Sequence, residues 1–423
     1  MVELRKVNKI KGEVTVPGDK SISHRGVMLG ALGEGITEIE GFLTGADCLS
    51  TIDCFRNLGI ETELSGTKVV VHGKGIYGLK KPDKILYTGN SGTTTRLLSG
   101  ILAGQSFDSV ITGDASICKR PMSRVVKPLS MMGADIKGEY CPLEIKGSAL
   151  NAIKYNMPVA SAQVKTAILL AGLYANGETE VVEIEKSRDH TERILSAMGA
   201  DIIEDGLSVK VRKCDKLTGI HLSVPGDISS AAFFIAAASV MKGSEVLIKN
   251  VGVNPTRTGI LDVARNMGAD IKEINYRSEN NEPVCDLLVR SADLKGVRID
   301  GAIIPRLIDE LPVIAVMALA AEGETVIADA AELKVKETNR ITAVCTELKK
   351  SGADITETDD GMIIRGGRKL IGADFASYGD HRMAMSLAVL AQMTDGKCNI
   401  DDISCCAISY PEFFNDLYAM EDK

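Results

Sequence analysis

Five residues, Met132-Gly-Ala-Asp-Ile136, occur three times in this chain and decide its fold class. The other copies are Met198-Gly-Ala-Asp-Ile202 and Met267-Gly-Ala-Asp-Ile271, and each copy follows a stretch with helical spacing of apolar residues. A glycine directly after a helix adopts a positive φ without steric penalty and so ends the helix. Each copy therefore predicts a helix that stops at its glycine and leads into a strand.

A second phrase, Gly-Glu-Thr followed by residues that favour strands, alternates with the first. It occurs at 177–181 and at 323–326, with related forms at 35–39 and 243–246. Self-similarity of this kind indicates one structural unit used repeatedly. The sequence predicts six units, each ordered helix, strand, helix, strands, whose first helices lie near residues 21–32, 91–103, 161–175, 228–242, 308–322 and 381–395.

The two halves of the chain begin alike, with Val16-Pro-Gly-Asp19 in one and Val224-Pro-Gly-Asp227 in the other. Each phrase precedes a helix start that contains serine. We therefore predict an α/β (α+β) protein of two similar domains around a cleft, residues 19–226 forming the first and residues 1–18 with 227–423 the second. The N-terminal residues are expected to pair with the second half. Unrelated α/β segments that share turn chemistry are the alternative.

The composition is that of a globular protein with a sizeable core. The chain has 423 residues, 45% of them hydrophobic and 25% charged, and a formal net charge of −8. This acidic balance disfavours nucleic-acid partners, and the apolar runs are too short to span a membrane. The cysteines lack the spacing of metal ligands and no secretory leader is visible, so we expect reduced thiols in a cytoplasmic protein.

Basic residues concentrate at predicted helix starts in spite of this acidic balance. In Gly18-Asp-Lys-Ser-Ile-Ser-His-Arg25 a strand ends, and Ser21 or Asp19 can cap the next helix. The N–H groups at a helix N-terminus favour an anion, and Lys20 and Arg25 would reinforce such a site. An ordinary solvated helix start is the alternative for this motif taken alone.

The same construction recurs along the chain. Gly89-Asn-Ser-Gly-Thr93 precedes Arg96, and Gly92 would allow a ligand to approach the backbone closely, although a simple Ser/Thr cap is the alternative. Arginine at a helix start can bind a carboxylate or phosphate with two hydrogen bonds. This placement predicts a cleft for more than one anion. Further polar helix starts carry Arg120, Ser161-Ala-Gln163, Arg188 and Arg382.

Acidic residues appear among the basic ones in the second half. Asp309 directly precedes an apolar helix, either as a general base or as a carboxylate favoured by the helix dipole. Lys336 and Arg340 are four residues apart, so on a helix they would share one face, with Glu337 close by. Two like charges there repel unless an anion lies between them, which again indicates an anionic ligand.

Together these phrases resemble the EPSP synthases of the enolpyruvyl transferase family. The resemblance implies two domains of three βαβαββ repeats each, which close on substrate around an interdomain active-site cleft. The matching stretches run in that family's order across nearly the whole chain: Gly18-Asp-Lys-Ser-Ile-Ser-His-Arg25, Gly89-Asn-Ser-Gly-Thr93, Arg120-Pro-Met122, Ser161-Ala-Gln163, Val335-Lys-Glu-Thr-Asn-Arg340 and Gly379-Asp-His-Arg-Met-Ala384.

The resemblance also implies an activity, the transfer of the carboxyvinyl group of phosphoenolpyruvate to the 5-hydroxyl of 3-phosphoshikimate by addition and elimination, in the shikimate pathway to chorismate. It implies no metal and no organic cofactor, and we expect a monomer without nucleic-acid or membrane partners. The residues implied to bind 3-phosphoshikimate are Lys20, Ser21, Arg25, Ser161, Ala162, Gln163, Arg188, Asp309 and Lys336. Those implied to bind phosphoenolpyruvate are Lys20, Asn90, Gly92, Arg120, Gln163, Arg340 and Arg382.

The same resemblance assigns the proton transfers. Asp309 is expected to accept the proton of the 5-hydroxyl, and Glu337 with Lys20 to deliver and remove the proton at the methylene carbon. Two positions depart from the best-known enterobacterial members. Ile408 stands where some members carry Lys, and Leu97 where some carry Pro. Both departures resemble a subset of bacterial members and leave the expected reaction unchanged.

Two other functions compete with this interpretation. The related UDP-N-acetylglucosamine 1-carboxyvinyltransferases share the fold and the chemistry, but that function needs a uridine site and a loop cysteine. Cys118 lies two residues before Arg120, a spacing that differs from the one in those enzymes. A non-catalytic anion-binding repeat protein would explain the basic helix starts but gives no role to Asp309 or Glu337.

Overall fold

The computed structural model describes residues 1–422, and this part of the chain divides into two compact units. Unit 1 contains Met1–Pro17, Pro225–Ser278 and the described residues from Pro283 onward, whereas unit 2 contains Gly18–Val224 and Glu279–Glu282. The chain therefore passes between the units within the two Val-Pro-Gly-Asp phrases with which its halves begin.

The α-helices follow the predicted repetition. All six predicted first helices are present, with ends shifted by a few residues at most, and a second helix follows each of them. In chain order the helices are α1 (Lys20–Leu32), α2 (Ala46–Asn57), α3 (Gly92–Ala103), α4 (Ser123–Met131), α5 (Ala162–Gly172), α6 (His190–Ala197), α7 (Ile228–Val240), α8 (Gly259–Asn266), α9 (Leu311–Ala320), α10 (Arg340–Lys350), α11 (His381–Ala391) and α12 (Phe413–Ala419).

The strands are short and lie between these helices. Four 3₁₀ turns in the described chain add local structure at Ile117–Lys119, Gly301–Arg306, Ala331–Val335 and Ser404–Ile408. In chain order the strands are β1 (Val2–Leu4), β2 (Lys11–Thr15), β3 (Gly33–Glu40), β4 (Glu61–Ser65), β5 (Lys68–Lys74), β6 (Leu86–Tyr87), β7 (Ser109–Thr112), β8 (Asp135–Lys137), β9 (Leu143–Lys146), β10 (Lys154–Asn156), β11 (Glu178–Val182), β12 (Ile202–Asp205), β13 (Ser208–Arg212), β14 (Leu217–Thr218), β15 (His221–Ser223), β16 (Glu245–Gly252), β17 (Asp270–Glu279), β18 (Glu282–Arg290), β19 (Arg298–Ile299), β20 (Glu324–Ile327), β21 (Asp354–Glu357), β22 (Met362–Arg365), β23 (Asp374–Phe375) and β24 (Cys398–Ile400).

Within residues 1–422 the strands form six small sheets, and one pattern recurs among them. In β6-β7-β9-β8, β10-β11-β13-β12 and β19-β20-β22-β21, the first pair is parallel and the others are antiparallel. Two sheets are completed by distant segments: β14 and β15 pair with β3, and β2 pairs with β16. Because β1 also pairs with β24, the prediction that the N-terminal residues pair with the second half is confirmed.

The glycines of the repeated phrase end helices as predicted. Gly133, Gly199 and Gly268 have φ values of 99°, 90° and 98°, a region that L side chains rarely adopt. Each glycine directly follows the C-cap residue of α4, α6 or α8. The chain therefore turns at the same point of the unit each time, and the next strand begins two or three residues later.

Each unit has its own apolar core, built mainly from aliphatic residues because only 4% of the chain is aromatic. In unit 1, α7 and α9 are buried along almost their whole length, which is why their sequences are apolar on every face. In unit 2, α3 packs closely against α5 at Gly100. No helix of residues 1–422 combines the length and the apolar character that crossing a membrane requires.

The close approach of α3 to α5 predicts a stability defect. A Cβ at Gly100 would lie 2.2 Å from the carbonyl oxygen of Ala167, a backbone atom that moves only if α5 moves. We expect Gly100→Ala to lower the free energy of unfolding by about 1–3 kcal/mol, measured by urea denaturation. Gly92→Ala, in the same helix, is the control, since its Cβ would meet the mobile end of Arg96. Equal loss in the two variants would contradict the packing argument.

Candidate active site

The entrance to α1 brings Lys20 beside a carboxylate. Asp19 caps the helix by accepting a hydrogen bond from the Ile22 N–H (2.9 Å), so Asp19 and not Ser21 is the cap. The ammonium of Lys20 lies 2.5 Å from Asp47 Oδ2, and both side chains are largely buried. Asp47 was missed by the sequence analysis, and the only signal for it is an acidic residue in the first turn of α2.

Arg25 lies one turn further along α1 and is 3% exposed. Its Nε donates to Thr191 Oγ1 (2.7 Å), and its Nη2 donates to Thr166 Oγ1 (2.9 Å). Arg188 reaches the same place, since its Nη1 lies 3.5 Å from Ser21 Oγ. The structure therefore brings together Ser21, Arg25 and Arg188, three of the predicted 3-phosphoshikimate ligands.

His24, in the same motif, has a structural role. It is fully buried, and its Nδ1 lies 2.7 Å from Thr51 Oγ1 of α2. Burial, followed by the charges of Lys20 and Arg25, lowers the pKa of His24 well below its ordinary value. A neutral imidazole here links α1 to α2 without adding a further positive charge beside two cations.

A second set of predicted residues surrounds the start of α3. Ser91 caps this helix by accepting the Thr94 N–H (3.0 Å), and the ligand-binding interpretation of the motif stays a prediction beside this cap. The Nη2 of Arg120 donates to Asn90 Oδ1 (2.6 Å). A Cβ at Gly92 would lie 2.6 Å from Arg96 Nη1 and 3.6 Å from Arg120 Nη1. The Arg96 guanidinium thus occupies the space that a side chain at position 92 would fill, and Arg120 lies at contact distance beside it.

Gln163 joins this second set through α5. Its Oε1 accepts a hydrogen bond from Arg96 Nη1 (2.7 Å), and its Nε2 donates to Thr93 Oγ1 (3.0 Å). Ser161 caps α5, and Ala162 is the first residue of that helix, without a polar side-chain atom. Arg96 was not among the predicted ligands, although the sequence analysis placed it at this helix start.

A third set lies in unit 1 and centres on Asp309, which directly precedes the N-cap residue of α9. Lys336 Nζ and Arg340 Nη1 lie 3.1 Å and 3.2 Å from the same carboxylate oxygen, Oδ1. Arg382 Nη1 donates to the Asp309 backbone oxygen (3.1 Å) and lies 3.5 Å from Glu310 Oε1. Three predicted cations therefore converge on one predicted base.

Arg340 is the most buried cation of this set, with its side chain 1% exposed. Its Nε lies 2.8 Å from Asp380 Oδ2, and its Nη2 lies 2.7 Å from Glu337 Oε2. Burial alone would lower the pKa of Arg340, but Asp380, Glu337 and Asp309 outweigh it and raise the pKa above its ordinary value. Arg340 therefore stays charged while it orients both predicted proton-transfer carboxylates.

The prediction that Lys336 and Arg340 share a helix face is wrong. Lys336 follows the 3₁₀ turn Ala331–Val335 in an extended conformation (φ −79°, ψ −158°), and α10 begins only at Arg340. The physical reason is that the Asn339 side chain caps α10, accepting the Thr342 N–H, and so starts the helix there. The two cations still meet, and the anion between them is Asp309.

One further group has the residue types of a metal site. Ligand atoms of Asp189, His190 and Glu282, all in unit 2, lie within 4.8 Å of one another. Arg193 Nη2 lies 2.9 Å from Asp189 Oδ2, and its Nε lies 3.9 Å from Glu282 Oε1. The Arg193 guanidinium therefore supplies the positive charge that a metal ion would otherwise bring to the two carboxylates.

Comparisons with known proteins identify the family of this chain. The family model of EPSP synthase (3-phosphoshikimate 1-carboxyvinyltransferase) matches residues 4–417. The chain belongs to the EPSP synthase family. The 3-phosphoshikimate 1-carboxyvinyltransferase of Geobacillus kaustophilus (strain HTA426) is 57% identical over 420 residues, 98% of each chain. That of Bacillus subtilis (strain 168) is 53% identical over 423 residues, 99% of each chain.

A solved structure of EPSP synthase from Acinetobacter baumannii matches the fold. Its TM-score is 0.88 at 45% sequence identity, and the match covers 99% of this chain and 97% of that chain. The predicted family, the enolpyruvyl transferase fold and the classification as a transferase are thus confirmed. The relatives named above carry the EPSP synthase activity in their names, and the UDP-N-acetylglucosamine alternative finds no support among them.

The burial of Arg340 predicts a strong dependence of stability on Asp380. Asp380→Asn keeps a side-chain oxygen for the cap of α11 but removes one of the charges that compensate the buried guanidinium. We expect the free energy of unfolding to fall by about 3 kcal/mol, measured by urea denaturation at neutral pH. Asp135→Asn, which breaks the exposed pair with Lys146 in unit 2, is the control and should leave stability nearly unchanged. A small loss for Asp380→Asn would show that Arg340 does not need this charge.

Proposed function

We propose that this protein transfers the carboxyvinyl group of phosphoenolpyruvate to the 5-hydroxyl of 3-phosphoshikimate. The proposal rests on the contacts of Lys336 and Arg340 with Asp309, in a chain that belongs to the EPSP synthase family. Two cations on one carboxylate oxygen, with Arg382 alongside, provide both the charge that binds anionic substrates and a carboxylate that can accept a proton. Compensation of the buried Arg340 charge would serve any function, so the proton-accepting role of Asp309 is what separates an enzyme from a protein that only binds anions.

The proposal assigns residues of both units to the same pair of substrates. For 3-phosphoshikimate, the contacts of Arg25 and Arg188 with Ser21 support an anion-binding place in unit 2. The remaining proposed ligands of that substrate are Lys20, Ser161, Ala162, Gln163, Asp309 and Lys336. The proposed ligands of phosphoenolpyruvate are Lys20, Asn90, Gly92, Arg120, Gln163, Arg340 and Arg382.

The reaction proceeds in two balanced steps. In the addition, the 5-hydroxyl oxygen bonds to C2 of phosphoenolpyruvate, its proton passes to Asp309, and C3 gains a proton from Glu337 or Lys20. In the elimination, the methyl carbon returns a proton to the same group while the bond between C2 and the phosphate oxygen breaks. The proton held by Asp309 then passes to the departing phosphate or to water, which restores the carboxylate. Well-placed acid–base groups contribute about 10²–10⁴-fold in rate, and the cations stabilise the charge of the tetrahedral intermediate.

We also propose that the protein acts in the cytoplasm and as a monomer. The ten cysteines are free thiols, most of them buried, as suits a reducing compartment. Light scattering of the purified protein would test the monomer directly. Cell fractionation would test the compartment.

A phosphate-release assay tests the proposed activity. We expect the purified protein to release inorganic phosphate from phosphoenolpyruvate only when 3-phosphoshikimate is also present, one phosphate for each carboxyvinyl group transferred. Mass spectrometry of the shikimate product provides the second measurement. Tight binding of both compounds without phosphate release would favour a protein that only binds anions. Release that depends on UDP-N-acetylglucosamine would favour the related transferase.

Asp309→Asn separates catalysis from binding. The amide keeps the size of the side chain but cannot accept the hydroxyl proton, so we expect kcat to fall by about 10²–10⁴-fold. The Kd for 3-phosphoshikimate, measured by calorimetry, should change far less. Asp354→Asn, at a surface pair with Arg368 in the same unit, is the control for general effects. Equal losses in kcat and in affinity would show that Asp309 positions the substrate and is not the base.

A further inference from the structure

We propose that Lys165 is a positioning residue of this enzyme, whose buried ion pairs fix the segment that carries Arg188. The inference rests on the proposed function, because Arg188 is assigned there to 3-phosphoshikimate. The Lys165 side chain is 0% exposed, so it acts through its neighbours and not through contact with a dissolved ligand. It lies in α5, two residues after Gln163 and next to Thr166.

The charge of Lys165 is compensated by two glutamates from different elements. Its Nζ lies 2.8 Å from Glu183 Oε2, after β11, and 2.7 Å from Glu192 Oε1, in α6. Burial alone would lower the pKa of Lys165, but the two carboxylates outweigh it and raise the pKa. Burial raises the pKa of Glu192, although the neighbouring Lys165 ammonium opposes this shift. An ammonium in this place therefore holds together α5, α6 and the end of β11.

The segment from Glu183 to Asp189 has no regular secondary structure, so side-chain contacts must define its path. Ser187, the residue before Arg188, is held at every polar group. Its N–H donates to Glu183 Oε1 (3.1 Å), its hydroxyl donates to the same oxygen, and its carbonyl accepts from Lys165 Nζ (3.4 Å). The backbone that leads into Arg188 is thus fixed by the Lys165–Glu183 pair.

The ion cluster of Lys165, Glu183 and Glu192 is adjacent in sequence to the two threonines that hold Arg25. Thr166 follows Lys165 in α5, and Thr191 precedes Glu192 in α6. The two threonine hydroxyls lie 2.8 Å apart, and both accept hydrogen bonds from the Arg25 guanidinium. Movement of α5 relative to α6 would therefore displace Arg25 as well as Arg188. Both arginines are proposed ligands of one substrate, and neither is assigned to phosphoenolpyruvate.

Lys165→Met tests the inference by removing the charge while it keeps a long, flexible side chain. We expect KM for 3-phosphoshikimate to rise by about 10-fold to 100-fold, because a displacement of ~1 Å in a binding group can cost ~100-fold. KM for phosphoenolpyruvate should change by no more than about twofold, and kcat should fall less than KM rises. A merely structural defect would lower the amount of active enzyme and leave both KM values unchanged.

Two further variants keep the test decisive if Lys165→Met does not fold. Ser187→Ala removes the hydroxyl contact with Glu183 but leaves the ion pair, so a smaller rise in the same KM is expected. Lys186→Met is the matched control, because Lys186 lies in the same segment but pairs with Glu204 at the surface. We expect it to leave both KM values unchanged.

A crystal structure of Lys165→Met, or of Ser187→Ala if the first variant does not fold, provides a readout that does not depend on activity. Displacement of Arg188 from Ser21, together with the selective rise in KM, would support the inference. Arg188 in its original place, or equal rises in both KM values, would overturn it. An inactive wild-type enzyme that binds no 3-phosphoshikimate would instead overturn the proposed function, and the position of Arg188 in the variant would still decide whether Lys165 fixes this segment.

Discussion

The structure of unit 1 around Asp309 depends on one constraint, the burial of a charged guanidinium. A buried cation is stabilised where carboxylates compensate its charge and accept its hydrogen bonds. Arg340, at the start of α10, meets Asp380 before α11 and Asp309 before α9. The charges therefore fix the starts of three helices against one another. With the helix starts fixed in this way, Lys336 and Arg382 also contact Asp309.

Unit 2 orients three of its arginines in a different way. The Nε and Nη2 groups of Arg25 are held by threonine hydroxyls, and a hydroxyl orients a guanidinium without cancelling its charge. Asn90 and Gln163 hold Arg120 and Arg96 through amide oxygens in the same manner. Neutral acceptors suit residues whose proposed partner is an anionic substrate. The carboxylates of unit 1 suit residues whose proposed partner also exchanges protons.

The local features were predictable from the sequence because they depend on neighbouring residues. The glycine that ends α6, the Ser161 cap and the six first helices follow from spacing and backbone preference alone. The pairing of β2 with β16 followed from the two similar halves. Ion pairs could not be predicted in this way, since Asp47 lies far along the chain from Lys20 and only the fold brings them together.

The error over Lys336 has the same origin. Spacing by four residues predicts a shared face only on a continuous helix, and the cap at Asn339 interrupts it. Sequence analysis nevertheless identified the requirement correctly, namely an anion between the two cations. It could not show that the protein supplies this anion itself as Asp309, because that residue lies 27 positions before Lys336.

Two buried glutamates show how a segment without helix or strand can hold a charged residue in a defined position. Glu183 accepts the backbone N–H and the hydroxyl of Ser187 and pairs with Lys165, just before Arg188. Glu347 accepts the Ala376 N–H (2.9 Å) and the Tyr378 hydroxyl (2.7 Å) and pairs with Lys350, just before Asp380 and Arg382. Since a carboxylate can accept several hydrogen bonds at once, one buried glutamate can define the path of a short segment. Each unit therefore has a buried glutamate, paired with a lysine, that contacts the segment leading to a cation near a helix start; the lysine is buried in unit 2 and partly exposed in unit 1.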